Sequence, residues 1–356
     1  MKHLFRFFLT LTATAFLFTA CSKDDDTDDG PHLPLGDYEN GIFVLNEGGF
    51  GASNASVSFI DAGGIIYHNI YTAVNGMNLG DTAQSIGFEG DNAYIVMSGS
   101  NVIEVVNRYN FEHITTISSQ LSNPRYIIFE NGKGYVSNWG DPTNESDDFI
   151  AVINTLSNTV ETTISVAEGP EKMASKDGIL YVAQKGGWGY GNTVSVITLS
   201  NQAVTSVSVA DIPDDLVVVN DHLYVLSSGK PAWTGDETPG ALTKIKLSDN
   251  TISEIFPVID GTHPVHLIAE NSTLYTTIDG AIYKMFLGST SAFSLAFSVE
   301  DQGIYSIYGF EVKNGRIYVG DAGDFISNGK VYIYSTTGTL HREYTVGIMP
   351  NGFYFN

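Results

Sequence analysis

From Gly41 onward the chain alternates apolar and polar residues in short runs punctuated by Asn, Asp and Gly, the period-two pattern of half-buried strands. The clearest unit is Asn131-Gly-Lys-Gly-Tyr-Val-Ser-Asn-Trp139, in which Asn131-Gly132 suits the positive φ angles of a tight hairpin and Tyr135 and Val136 begin the strand that follows. The unit recurs as Asp91-Asn-Ala-Tyr94, Asp177-Gly-Ile-Leu-Tyr181, Asn220-Asp-His-Leu-Tyr224, Asn271-Ser-Thr-Leu-Tyr275 and Asn314-Gly-Arg-Ile-Tyr318. Phe43 stands where the first tyrosine would be, and the successive separations are 51, 41, 46, 43, 51 and 43 residues. Tyrosine after a turn suits any sheet, but a series at this spacing is the length of a four-stranded propeller blade.

The pattern predicts an all-β fold, a seven-bladed β-propeller spanning residues 41–356. Blade three reads as strands over Pro124 to Glu130, Gly134 to Asn138, Phe149 to Asn154 and Thr159 to Val166. Blade two runs roughly from Asp81 to Ser119, blade four from Pro170 to Ala210, blade five from Pro213 to Ile259, blade six from His263 to Val299 and blade seven from Tyr305 to Val346. Blade one lacks an inner strand: Gly41 to Glu47 matches a second strand, and only Ala55 to Asp61 and Ile65 to Tyr71 follow. Pro350 to Asn356 reads as an inner strand with nothing after it. The expected closure pairs this C-terminal strand into the first blade and hides the open sheet edges.

Composition supports this reading, because 20 Phe and 19 Tyr can fill a large core and 37 Gly point to many turns. The formal charge is −23, and loss of Lys2 and Arg6 with a leader would leave 15 basic residues against 40 acidic ones. Nucleic acid is therefore not an expected partner, and an anionic membrane surface would repel the body. Acidity mainly implies solubility.

The first 20 residues carry Lys2 and Arg6, the apolar run Phe7 to Phe18 and the small residues Thr19-Ala20, the order of a secretory signal peptide. Cys21, the one cysteine, follows directly, so no disulfide can form within the chain. Residues 21–40 contain Ser22-Lys-Asp-Asp-Asp-Thr-Asp-Asp29 and then Pro31 and Pro34, a composition expected of an extended acidic tether.

Three tryptophans fall in second-to-third-strand loops of consecutive blades: Trp139, Trp188 (with Tyr190 close by) and Trp233. Phe50 and Phe325 occupy equivalent loops in blades one and seven. Broad rings in glycine-rich loops make good contact surface, although each could instead lie down on its own loop. The blade-to-blade connections bring Gln84, Arg125, Lys172, Asp214, Asp215, His263, His266 and Tyr308 toward the axis of the same face. Together these residues form the candidate ligand site; hydrogen bonding between blades is the alternative role for each polar one.

Sharper chemistry finds less support. His263-Pro-Val-His266 points its imidazoles apart on an extended strand, which disfavours a shared metal. Asp321-Ala-Gly-Asp324 lacks the oxygen spacing of a calcium loop, and Gly187-x-Gly-x-Gly191 precedes no helix that could cradle phosphate. No Gly-x-Ser-x-Gly elbow occurs. No catalytic residue, catalytic cofactor or metal is expected, so the chain reads as a binder rather than an enzyme.

Leu17-Phe-Thr-Ala-Cys21 resembles the lipobox of bacterial lipoproteins, which implies acylation of Cys21, and the acidic run after it resembles the surface-export signal of Bacteroidetes lipoproteins. These resemblances imply an outer-membrane, lipid-anchored protein facing the exterior; as a mere spacer, the run would leave the body in the periplasm. Tyr135-Val-Ser-Asn138 resembles the repeat of YVTN-type propellers. Gly41-Ile-Phe-Val-Leu-Asn-Glu-Gly-Gly-Phe-Gly with Asn54-Ala-Ser-Val-Ser-Phe-Ile-Asp61 resembles the first blade of YncE-like surface lipoproteins, and within that class the chain is similar to BtuG-type proteins. That resemblance implies capture of cobalamin or another corrinoid and its transfer to a TonB-dependent outer-membrane transporter. Haem or a glycan would suit the same aromatic face, and a protein-interaction module or a propeller lactonase or lyase are the other classes open.

Overall fold

The computed structural model describes residues 35–356 except 142 and 145. The expected signal peptide, Cys21 and the acidic run lie outside the described residues. Seven four-stranded antiparallel sheets form a seven-bladed β-propeller. The innermost strand of each blade neighbours that of the next, round to closure.

The repeated turns set the register. Glu130 faces Lys133, Lys176 faces Ile179, Glu270 faces Thr273 and Lys313 faces Arg316 across hairpins whose two turn residues all have positive φ, as at Asn131 (51°) and Gly132 (72°). Such angles match the twist of the flanking strands, which is why Asn and Gly recur there. The tyrosine that follows each turn is buried, as is Phe43 in its place. Burial of an aromatic side chain of this size contributes about 2–3 kcal/mol. Two of the phenols also reach the next blade, Tyr94 donating to Asn158 Oδ1 at 2.8 Å and Tyr181 to Asn250 Oδ1 at 3.2 Å.

The core is divided among the blade interfaces. Tyr94, Val96 and Ile103 of blade two pack with Ile127, Val136 and Ala151 of blade three, and the same arrangement repeats around the ring. The last interface is completed by Phe353, which packs with Val44 of blade one and Tyr318 of blade seven.

The closing strand Pro350–Phe355 pairs antiparallel with Gly41–Asn46, with Phe43 opposite Tyr354. Asn356 then clasps two segments: its side-chain amide donates to Tyr38 O and Arg108 O, while its Oδ1 accepts Arg108 Nε. Tyr38 lies edge-on to Phe59 and Phe111 at 5.1 and 5.9 Å, so the packed body begins ahead of Gly41, within the stretch expected to be tether.

Blade one departs from expectation at its outer edge. The strand expected over Ile65 to Tyr71 is only Ile66–Tyr67, and the chain turns at Asn69, φ 48°, into a short helix over Ile70–Asn75. The helix buries Ile70 and Tyr71 in the cluster between blades one and two, where Phe111 also packs. The apolar pair Ile70-Tyr71 fits a strand or a helix face equally, and packing decides. Among the described residues no helix is long and apolar enough to cross a membrane.

Candidate functional site

Antiparallel blades place the start of each inner strand at the same end as the loops between second and third strands. Most inner strands begin on proline, at Pro124, Pro170, Pro213 and Pro350, where a ladder donor is not needed. In every blade except the seventh, the ladder then shifts register. Ala83 and Ser85 pair with Met97 and Val96, so Gln84 is extra; Asp214 is extra between Pro213 and Asp215, and His266 between Val265 and Leu267. The same shift falls at Arg125-Tyr126, Glu171-Lys172 and Asn351. A bulge re-aims the unpaired residue, and these are the side chains that line the axis.

They enclose a cavity of about 580 Å³ bounded by the inner strands of all seven blades. This volume lies in the range of small-molecule sites. Arg125 forms a two-pronged pair with Glu171, Nε to Oε2 at 3.1 Å and Nη2 to Oε1 at 2.9 Å. Lys172 reaches Asp215 Oδ2 at 2.5 Å, and Lys185 reaches Asp214 Oδ1 at 2.7 Å. Asp215 sits behind the lining and is 3% exposed; its Oδ1 accepts Leu216 N and its Oδ2 also accepts Leu267 N, both at 2.8 Å. Burial opposes the charge of Lys172, but Asp215 and the nearby Tyr126 outweigh it and hold the ammonium protonated.

On the opposite side the groups are less committed. Tyr308 donates its hydroxyl to Glu47 Oε2, and Gln84 Nε2 donates to Tyr126 at 3.2 Å. His266, held at φ 60°, bonds Thr277 Oγ1 through Nδ1 at 2.8 Å, and burial lowers its pKa to about 4, so the imidazole is neutral at pH 7. Burial raises Glu47 and lifts Glu311 to about 7.

Aromatic rings stand over this mouth. Trp139 takes the Arg125 guanidinium on its face, with Cζ 4.1 Å from the ring centre, and donates Nε1 to Pro170 O at 3.1 Å. Trp188 meets Trp139 edge-on at 6.4 Å, and Phe325 meets Tyr308 edge-on at 5.6 Å. Trp188 is 74% exposed.

The structure thus brings Gln84, Arg125, Lys172, His266 and Tyr308 to one cavity, with Asp215 behind it and Trp139, Trp188 and Phe325 at its edge. Phe50, Tyr190 and Trp233 are exposed in their loops and join no ring pair among the described residues. His263 turns away, its Nδ1 against Ser228 O at 2.9 Å. Asp321 and Asp324 cap their own loop, accepting Gly323 N and Ser327 N at 2.9 and 2.7 Å. Among the described residues no group of three or more His, Cys, Asp and Glu converges as a metal site would.

Sequence reasoning missed Glu171, Lys185, Tyr126, Glu311, Asn351 and Tyr354 as lining residues and gave Glu47 no polar role. Two signals could have found several of them. The residues just after a strand-opening proline fill the bulge, and in blades one, three and four the residue just after the second strand, Glu47, Trp139 and Lys185, reaches the lining or stacks on it.

The model of a domain of unknown function, DUF5074, matches residues 40–355. The chain belongs to the DUF5074 family. A search of curated proteins finds no match. Among solved structures, the chain is similar to a quinoprotein alcohol dehydrogenase-like protein from Bacteroides thetaiotaomicron, with 17% identity, a TM-score of 0.66, and coverage of 89% of this chain and 78% of that one. A functionally unknown protein from Desulfotomaculum acetoxidans is similar at 11% identity and TM-score 0.66, covering 89% and 98%. BamB from Moraxella catarrhalis is similar at 14% identity and TM-score 0.52, covering 88% and 84%. At such identities the likeness shows the propeller fold alone.

Proposed function

We propose that this DUF5074 propeller is a lipid-anchored surface protein that captures a small-molecule nutrient at the axial mouth and passes it to a TonB-dependent outer-membrane transporter. The leading ligand is cobalamin or another corrinoid. The observation that carries the reading is the convergence, at one end of the ring, of the Trp139–Trp188 and Tyr308–Phe325 pairs around a cavity lined by polar side chains. Exposed indole offers a flat surface with few rotors to immobilise, which suits a broad planar ligand. Peripheral carboxamides of a corrin could then reach the polar groups below. The signal-like leader, Cys21 and the acidic run support the location, and the resemblance to BtuG-type first-blade residues supports the ligand class.

The test is a calorimetric and spectroscopic titration of a fragment lacking residues 1–21 with cyanocobalamin, with haem and a glycan panel in parallel. Tight binding with no turnover is expected. No heat and no spectral change at micromolar cyanocobalamin would remove the corrinoid assignment, and binding of a glycan or haem instead would transfer the site to that class.

A further inference from the structure

The cations that line the cavity are already matched: Arg125 by Glu171, Lys172 by Asp215 and Lys185 by Asp214. These pairs belong to blades three, four and five. On the other wall, in blades seven and one, three side-chain oxygens have no protein donor among the described residues. Glu311 accepts Val312 N at 2.9 Å through Oε1, and its Oε2 has no partner among the described residues. Glu47 uses only Oε2, toward Tyr308. Asn351 donates Nδ2 to Ala83 O at 2.8 Å, which fixes the orientation of its amide, and leaves Oδ1 buried without a partner.

Three acceptors, two of them on carboxyl groups, therefore sit on residues lining one cavity with no protein donor to satisfy them among the described residues; Asn351 Oδ1 is fully buried, and a buried acceptor left unpaired is costly. Once Glu311 is ionised, above about pH 7, an anion entering here would meet two carboxylates, Glu47 and Glu311. It could reach Arg125 or Lys172 only by competing with carboxylates already held at hydrogen-bond distance.

Resting on the reading of this cavity as the ligand site, we propose that the wall formed by Glu47, Glu311 and Asn351 recognises an N–H donor group on the ligand and rejects a carboxylate in its place. Two sources carry that chemistry, the peripheral carboxamides of a corrinoid and the ammonium of a small organic amine. Such a wall selects the amidated or aminated member of a ligand pair over its free acid.

Two matched comparisons test this on the fragment lacking residues 1–21, at pH 8 so that Glu311 is ionised. Calorimetry compares cyanocobalamin with its monocarboxylic acids, in which one carboxamide is hydrolysed. Ligand-observed NMR compares tryptamine with indole-3-propionate, which have like rings and opposite end groups. The N–H member is expected to bind at least about tenfold more tightly in at least one comparison, because a like charge set against a buried carboxylate is strongly disfavoured. Glu311→Gln and Asn351→Leu should each reduce that preference; a loss in either variant with the fold intact by circular dichroism sustains the proposal. Preference for tryptamine without any cyanocobalamin binding sustains the donor rule and discards the corrinoid. Equal or tighter binding of the acids, or no binding by any probe, overturns it.

Discussion

Arg125 lies flat on the indole of Trp139, Cζ 4.1 Å from the ring centre, while its Nε and Nη2 hold both oxygens of Glu171. The guanidinium joins the aromatic edge of the mouth to the charged lining beneath it, and the Nε1 bond to Pro170 O fixes the ring from the other side.

Trp139 and Trp188 should therefore separate on substitution. Trp139→Ala is expected to cost about 2 kcal/mol of stability, from lost packing and the lost cation–π contact. Trp188→Ala, at a 74% exposed ring, should stay within about 0.5 kcal/mol of wild type while weakening ligand binding. Denaturant unfolding beside calorimetry checks both; equal destabilisation by the two variants would contradict the division.

Asp215 is the more sensitive member of its pair, since it accepts Lys172, Leu216 N and Leu267 N. Asp215→Ala should lose about 3–5 kcal/mol, because it strands Lys172 and two backbone donors. Replacing both charges, as in Lys172→Met with Asp215→Leu, should recover part of that loss. A double variant no better than Asp215→Ala in urea unfolding would show that the backbone bonds, and not the ion pair, dominate.

Removal of Gly352 to Asn356 takes away most of the closing strand and the clasp on Tyr38 and Arg108. Thermal unfolding of the truncated chain should shift down by more than about 10 °C or lose cooperativity, since several kcal/mol of packing vanish at once. Asn356→Ala alone should give a smaller fall, on the order of 1–2 kcal/mol.

Blade number, strand order and closure were legible because the hairpin turn and the tyrosine behind it are local signals repeated in series, from Phe43 to Tyr318. Trp139, Arg125 and Lys172 could be expected to gather at one end because strand polarity alone decides that, and the structure groups them there. The pairing of Lys185 with Asp214 and of Arg125 with Glu171 was not legible, since it joins residues 29 and 46 apart whose meeting depends on the bulges. The helix at Ile70 was hidden because Ile-Tyr fits either periodicity.

Two buried acids make stability depend on pH. Glu311 rises from 4.5 to about 7 through burial, with Asp215 adding to the rise and Lys172 and Lys313 opposing it. Asp148 rises from 3.8 to about 6, also through burial, with Asp147 and Glu168 adding and Gly169 N opposing. A folded-state pKa above the unfolded one means that the folded chain binds more protons. This contribution is full below about pH 4 and is lost as pH climbs through 6 and 7. Glu311→Gln and Asp148→Asn should each raise stability at pH 8, by roughly 1–3 kcal/mol. Below about pH 6.5 the lowered pKa of His266 acts on the wild type with the opposite sign, so urea midpoints of each variant beside the wild type at pH 5 and pH 8 check the claim; a gain no larger at pH 8 than at pH 5 would refute it.

The recurrent bulge separates two tasks within each inner strand. Below it, regular pairing holds the sheet in place; at it, one or two residues sit outside the ladder. Gln84, whose side chain among the described residues bonds only Tyr126 of the lining, can therefore be exchanged for other chemistry without disturbing its strand, whereas Asn351 and His266 also tie themselves to Ala83 O and Thr277 Oγ1. The propeller is thereby a fixed frame with interchangeable teeth, and relatives sharing this backbone are free to differ in what they hold.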